Sequence, residues 1–126
     1  MKHRILVIED NPLNLELLSD WLNGEGFEVH SAVNLKSAFV LAERSRPHAV
    51  LLDIQLGADD GLMFAAWLRS HQSLRATPLI AVTAHALLSE RDHILKSGCN
   101  DCISKPVDFR NLRQCLQRWL PSEISG

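Results

Sequence analysis

The chain holds 126 residues, enough for one domain with a real core. Its 46% hydrophobic and 22% charged residues are ordinary for a globular protein. A formal net charge of −2 leaves no footprint for direct nucleic-acid binding or for an anionic membrane. The opening Met1-Lys2-His3-Arg4 and the apolar Ile5–Ile8 briefly imitate an export signal, but two acids end the apolar part too soon. Nothing approaches a membrane span. Cys99, Cys102 and Cys115 are odd in number, which points to reduced thiols and a cytoplasmic protein.

In chain order, Ile5–Ile8 reads as an all-apolar strand closed by Glu9-Asp10, followed at once by a helix. Asn11 is its N-cap and Pro12 its first helical residue. Leu13, Leu15, Leu17, Leu18, Trp21 and Leu22 fill an arc of roughly 200° on the helical wheel, wider than one core face needs. The flank Leu13, Leu17 and Trp21 is therefore a candidate partner surface. Gly24 and Gly26 end this helix, and Phe27–Ser31 alternates as an edge strand would. Asn34 caps a second helix through about Glu43, broken by Arg46-Pro47. Ala49-Val50-Leu51-Leu52 then runs straight into Asp53. An apolar run this short suits a strand covered on both faces.

Gly57-Ala58-Asp59-Asp60-Gly61 reads as a mobile loop, because glycine adds backbone freedom. A third helix is expected from about Gly61 to Ser70. Pro78 opens the strand Leu79–Val82, which delivers Thr83. A fourth helix, roughly Leu87 to Ser97, stops at Gly98 in the C′ position. Cys102–Ser104 is a last short strand leading to Lys105-Pro106. Asp108 caps a final helix, which Pro121 terminates. Strands and helices alternate five times without repeat or linker, implying right-handed βαβ units. The expected fold is α/β, a flavodoxin-like doubly wound parallel sheet of five strands in order 2-1-3-4-5 with five helices. Residues 1–126 are read as one domain, its core spanning about 2–120, with no output module.

In such a sheet, ligands bind outside the carboxyl ends of the strands. Those ends carry Glu9-Asp10, Ser31, Asp53, Thr83 and Lys105. With neighbouring strands about 4.8 Å apart, the acids flank Asp53 on one side and short Thr83 stands on the other. Lys105 lies two strands out, a gap its long stem can span. Three converging carboxylates raise a pKa or bind a cation, and all-oxygen ligation with open positions is the Mg²⁺ pattern. Asp53 is then a carboxylate nucleophile of the kind that forms aspartyl phosphates. Lys105 neutralises phosphoryl oxygens, and the Thr83 hydroxyl donates a hydrogen bond to one of them.

The motifs Glu9-Asp10-Asn11 with Asn14, Leu52-Asp53-Ile54, Val82-Thr83-Ala84 and Ser104-Lys105-Pro106 make the chain resemble a response-regulator receiver domain of two-component signalling, over Lys2 to Leu120. The resemblance implies a phosphorelay switch rather than a turnover enzyme. Asp53 would accept a phosphoryl group from a phosphohistidine on a histidine kinase or histidine phosphotransfer protein. Asp10, Asp53 and the Gln55 backbone carbonyl would bind Mg²⁺, with Glu9 acting through water. Thr83 and Lys105 would contact the phosphoryl group, small Ala84 would keep access open, and Lys105-Pro106 would be cis.

Two positions depart from the family pattern. Cys102 stands where a Tyr or Phe is usual, and a small thiol cannot swing between buried and exposed positions as a ring does, while Gly57 stands where a proline is common. His85, two residues past Thr83, is a candidate modulator of acyl-phosphate lifetime. The alternative reading is a pseudo-receiver acting only as an interaction module. A flavodoxin-type cofactor binder or a Mg²⁺-dependent phosphohydrolase is disfavoured by the absence of a phosphate loop and a cap domain. Cys99-Asn100-Asp101-Cys102 has redox spacing but follows a helix end, where a thiolate gains no help.

Overall fold

Short runs of Val, Leu and Ile build the five long strands, and apolar residues at helical spacing cover both sides of the sheet they form. The computed structural model describes residues 2–84 and 87–121. In chain order the strands are β1 (Arg4–Ile8), β2 (Glu28–Ala32), β3 (Ala49–Asp53), β4 (Gln55–Leu56), β5 (Asp59–Asp60), β6 (Leu79–Thr83) and β7 (Asp101–Ser104). The helices are α1 (Pro12–Gly24), α2 (Leu35–Ser45), α3 (Leu62–Ser70), α4 (Leu88–Lys96) and α5 (Phe109–Trp119). The five long strands are all parallel and lie in the order β2-β1-β3-β6-β7. Counted among the long strands alone, that is the expected 2-1-3-4-5.

Helices α2, α3 and α4 cover one face, burying Ala38, Ala42, Phe64, Ala65, Leu68 and Ile94 against Leu6, Val50 and Leu52. On the other face α1 and α5 bury Leu18, Leu22, Leu112, Cys115 and Leu116 against Ile5, Leu51 and Ile80. Every residue of β3 and β6 is buried, as continuous apolar runs in a doubly covered sheet require. Phe39 and Phe64 stack at 5.9 Å, and Trp67 closes the group at 4.9 and 5.5 Å, an aromatic cluster between α2 and α3.

The helix ends follow their local chemistry. The Asn11 side chain accepts from Asn14 N, Asn34 from Ser37 N and Asp108 from Arg110 N. Gly98 sits at φ +116° just past α4, a left-handed position that costs glycine nothing. Arg46 takes φ 47° at the end of α2, because Pro47 bars continuation of the helix. The edge strand begins one residue later than the alternation suggests, at Glu28.

Between β3 and α3 the segment read as a mobile loop contains a two-residue ribbon, Gln55 opposite Asp60 and Leu56 opposite Asp59. Gly57 at φ +60°, followed by Ala58 at negative φ, is the type II′ arrangement that joins tight hairpins. Among the described residues no helix is long and apolar enough to cross a membrane.

Arg69, at the end of α3, ties three connections together. Its guanidinium donates to the carbonyls of Gly98 (2.8 Å), Arg75 (2.8 Å) and Thr77 (2.7 Å) and to Asn100 Oδ1 (2.6 Å). Asn100 Oδ1 also accepts from Leu79 N at 2.8 Å, so this side chain fixes the start of β6. Arg69→Met keeps the stem but leaves these acceptors without their donor, and is expected to lower stability by about 2–3 kcal/mol. Urea denaturation checks this, and an unchanged midpoint would contradict it.

Candidate functional site

Parallel register brings the carboxyl ends of four strands into one row. Ile8 pairs with Leu52, Asp53 with Val82 and Thr83 with Ser104. Glu9, Asp10, Asp53, Thr83 and Lys105 therefore surround a single notch. Carboxylate oxygens of Glu9, Asp10 and Asp53 all lie within 4.8 Å of one another. Glu9 is 1% and Asp53 6% exposed, while Asp10 faces solvent. Thr83 is buried at the end of β6, and its carbonyl accepts from Lys105 N at 2.8 Å. Lys105-Pro106 is cis.

Lys105 reaches across two strands, and its Nζ lies 2.9 Å from Glu9 Oε1 and 3.2 Å from Asp53 Oδ2. Burial pushes the Glu9 carboxyl upward, and its hydrogen bond to Asp53 adds to that; Lys105 and the Asn11 N–H oppose the shift without cancelling it. Burial alone would lower the Lys105 ammonium, but the bond to Glu9 and the charge of Asp53 outweigh it, and its pKa rises. The notch is thus a buried acid pair sharing one ammonium, with a third acid open to water. An all-oxygen donor set of two buried carboxylates and one exposed carboxylate fits a hard divalent cation such as Mg²⁺.

The loop after the acceptor strand packs directly on it. Gln55 N donates to Asp53 Oδ1 at 3.0 Å and Gly61 N to the Ile54 carbonyl at 2.7 Å. A Cβ at Gly61 would meet the Asp53 carbonyl at 2.5 Å and that of Ile54 at 2.8 Å. At Gly57 the nearest atom would be Asp10 Oδ2, at an ordinary 3.7 Å.

On the helix beside Asp10, Leu13 and Leu17 are 63% and 51% exposed, as the wide apolar arc suggests. Trp21 differs: its ring stacks on Phe109 at 5.1 Å, and the Arg113 guanidinium lies over it at 5.6 Å. It joins α1 to α5 rather than standing open. Leu17 and Leu18 border a cavity of about 150 Å³ that also touches Glu9, Asn14, Lys105, Pro106 and Phe109. Ala84 is exposed at the rim, and His85 lies outside the described residues. The Cys99 and Cys102 thiols are free and buried. Burial pushes Cys99 up to about 12 and raises Cys102, the opposite of what thiolate chemistry needs.

The response regulator receiver domain family matches residues 5–117. The chain belongs to that family. It is a receiver domain, the signalling switch of two-component systems. Over 120 residues it is 35% identical to the polar-differentiation response regulator DivK of Brucella anthropi, covering 95% of this chain and 98% of that protein. It is equally similar, 35% identical with TM-score 0.86, to the receiver domain of the sensor histidine kinase PA1611 of Pseudomonas aeruginosa. That structure holds a magnesium ion in its active-site cleft, and the match covers 94% of this chain and 98% of the other. The receiver domain of the response regulator Ssk1 of Saccharomyces cerevisiae, crystallised with the histidine phosphotransfer protein Ypd1, is 26% identical with TM-score 0.84. There the match covers 94% and 88% of the two chains.

The two loop glycines of this receiver should respond differently to alanine. Gly57→Ala pays only for a left-handed L-residue, about 1–2 kcal/mol. Gly61→Ala must push backbone away from the acceptor, so it is expected to cost about 2–3 kcal/mol and to move the Gln55 amide resonance. Urea titration and nuclear magnetic resonance read both effects, and equal costs with an unmoved Gln55 would contradict the close packing.

Proposed function

We propose that this receiver accepts a phosphoryl group on Asp53 from a phosphohistidine and signals through protein contacts that depend on it. The observation that carries the reading is the ammonium of Lys105 held between Glu9 and Asp53. It sets a cation beside a buried nucleophilic carboxylate at the end of a rigid central strand. An Asp53 carboxylate oxygen attacks phosphorus, and the P–N bond to the donor imidazole breaks. The leaving nitrogen keeps the electron pair and takes up a proton. Lys105 follows the charge onto the transferred oxygens, the Thr83 hydroxyl donates to one of them, and small Ala84 leaves the approach open. Asp10 and Asp53, with the Gln55 carbonyl and with Glu9 through water, would hold Mg²⁺, which when bound neutralises charge on the phosphoryl oxygens. Water later cleaves the acyl phosphate, so the chain assists its own resetting without being a turnover enzyme.

The phosphodonor is a histidine kinase or a histidine phosphotransfer protein, docking on Leu13 and Leu17 beside Asp10. The complex of Ssk1 with Ypd1 and the magnesium in PA1611 support this by similarity. The intact acid cluster weighs against a pseudo-receiver, and the free cysteines support a cytoplasmic setting.

Asp53→Asn should abolish incorporation of radiolabel from acetyl phosphate, as should chelation of Mg²⁺. Lys105→Ala should slow it by about tenfold or more, the scale of losing one charged contact to the transferred group. Full labelling of Asp53→Asn would sink the proposal. Leu17→Glu should slow transfer from a phosphorylated protein donor by about tenfold while leaving acetyl phosphate unaffected. Equal slowing with both donors would place the defect in the notch instead of at a docking surface.

A further inference from the structure

Helix α4 buries fewer side chains than any other helix among the described residues. Of its side chains only Ile94 is buried, while Leu88 is 86% and Leu95 37% exposed. What α4 has instead is Arg91. Its Nη1 donates to the Cys102 carbonyl at 2.6 Å and its Nη2 to Asp101 Oδ1 at 3.1 Å. Both acceptors belong to β7, the edge strand of the sheet. The same Asp101 oxygen accepts from Cys102 N at 2.8 Å, so one ion pair satisfies both backbone groups of Cys102.

The other side of β7 is secured separately. Asp101 Oδ2 accepts from Trp119 Nε1 at 3.1 Å and from Cys115 Sγ at 3.3 Å. Arg118 Nη1 approaches the same oxygen at 3.5 Å. Strand β7 is therefore anchored to α5 whether or not α4 is in place. A cleft of about 360 Å³ already separates the two helices along β7, touching Arg91, Cys102, Ser104, Gln114, Cys115 and Arg118. The Cys102 side chain is 4% exposed and belongs to the same cluster as Ile94.

We propose that α4 is a detachable flap whose main tether is Arg91, and that its opening uncovers Cys102 and the outer edge of β7 while the rest of the fold stays intact. Local opening of this kind is set by how few buried contacts a segment makes, and two charge-assisted hydrogen bonds outweigh one isoleucine in holding it. Cys102 reports the motion directly, because a thiol shut away from water reacts only when uncovered. Cys115 borders the cleft too, but it sits on α5 in the cluster on the other face of the sheet and is bonded to Asp101, so it serves as the internal reference.

The test labels the intact protein with a maleimide across a series of low urea concentrations and reads each cysteine by mass spectrometry. Cys102 should react faster than Cys115, with little dependence on urea below the unfolding transition. Arg91→Gln should speed Cys102 by about tenfold or more and leave Cys115 nearly unchanged. Should that variant also lower global stability, the urea dependence separates the cases, since labelling through global unfolding rises steeply with urea at both sites. A Cys102 rate equal to that of Cys115 at every urea concentration, or one that Arg91→Gln leaves unaltered, would overturn the proposal.

Discussion

Glu9, Asp10 and Asp53 bring carboxylate oxygens within 4.8 Å of one another, and that crowding governs the rest of the molecule. Two unit charges about 4 Å apart repel by about 4 kcal/mol at the effective dielectric near a protein surface. Two of these three groups are also nearly cut off from water. The chain answers with Lys105, and burial still leaves the Glu9 carboxyl raised. A site in this condition favours any added cation. Holding it together demands a sheet whose register cannot slip, because a one-residue slip would turn Asp53 to the opposite face. Full burial of β3 and β6 supplies that constraint.

Much of this was legible in the residues, because the signals are local or additive along the chain. Apolar runs named the strands, Asn11, Asn34 and Asp108 named helix starts, and Gly98 named a helix end. Matching side-chain length to strand spacing then brought Lys105 to Asp53. Other features rest on contacts between distant segments that no local pattern announces. The guanidinium of Arg69 reads as one more surface charge until the chain folds it against Gly98, Thr77 and Asn100. Trp21 belongs by periodicity to an apolar flank, yet Phe109 and Arg113 cover its ring. The ribbon of β4 and β5 was hidden because Gly57 reads equally well as freedom and as a tight turn. Gly61 carries a signal of another kind: its φ is ordinary, and only the approach of the Asp53 and Ile54 carbonyls shows why a side chain is excluded.

The two sides of the notch are built to different stiffness, and the difference follows from what each helix buries. On the side of α1, the helix buries Leu18 and Leu22, and the Trp21, Phe109 and Arg113 stack pins it to α5. That packing fixes the helix that carries the exposed Leu13 and Leu17, and a preorganised face loses little entropy whenever it is covered. On the opposite side, α4 contributes one buried side chain and relies on hydrogen bonds to an edge strand. Those bonds are charge-assisted, but all of them come from one residue, Arg91. A charge change at Asp53 therefore meets a rigid wall toward α1 and a compliant one toward α4. The restoring contacts are thus fewest on the side of α4 and β7, which need no special pathway to be the easiest part of the notch's surroundings to displace.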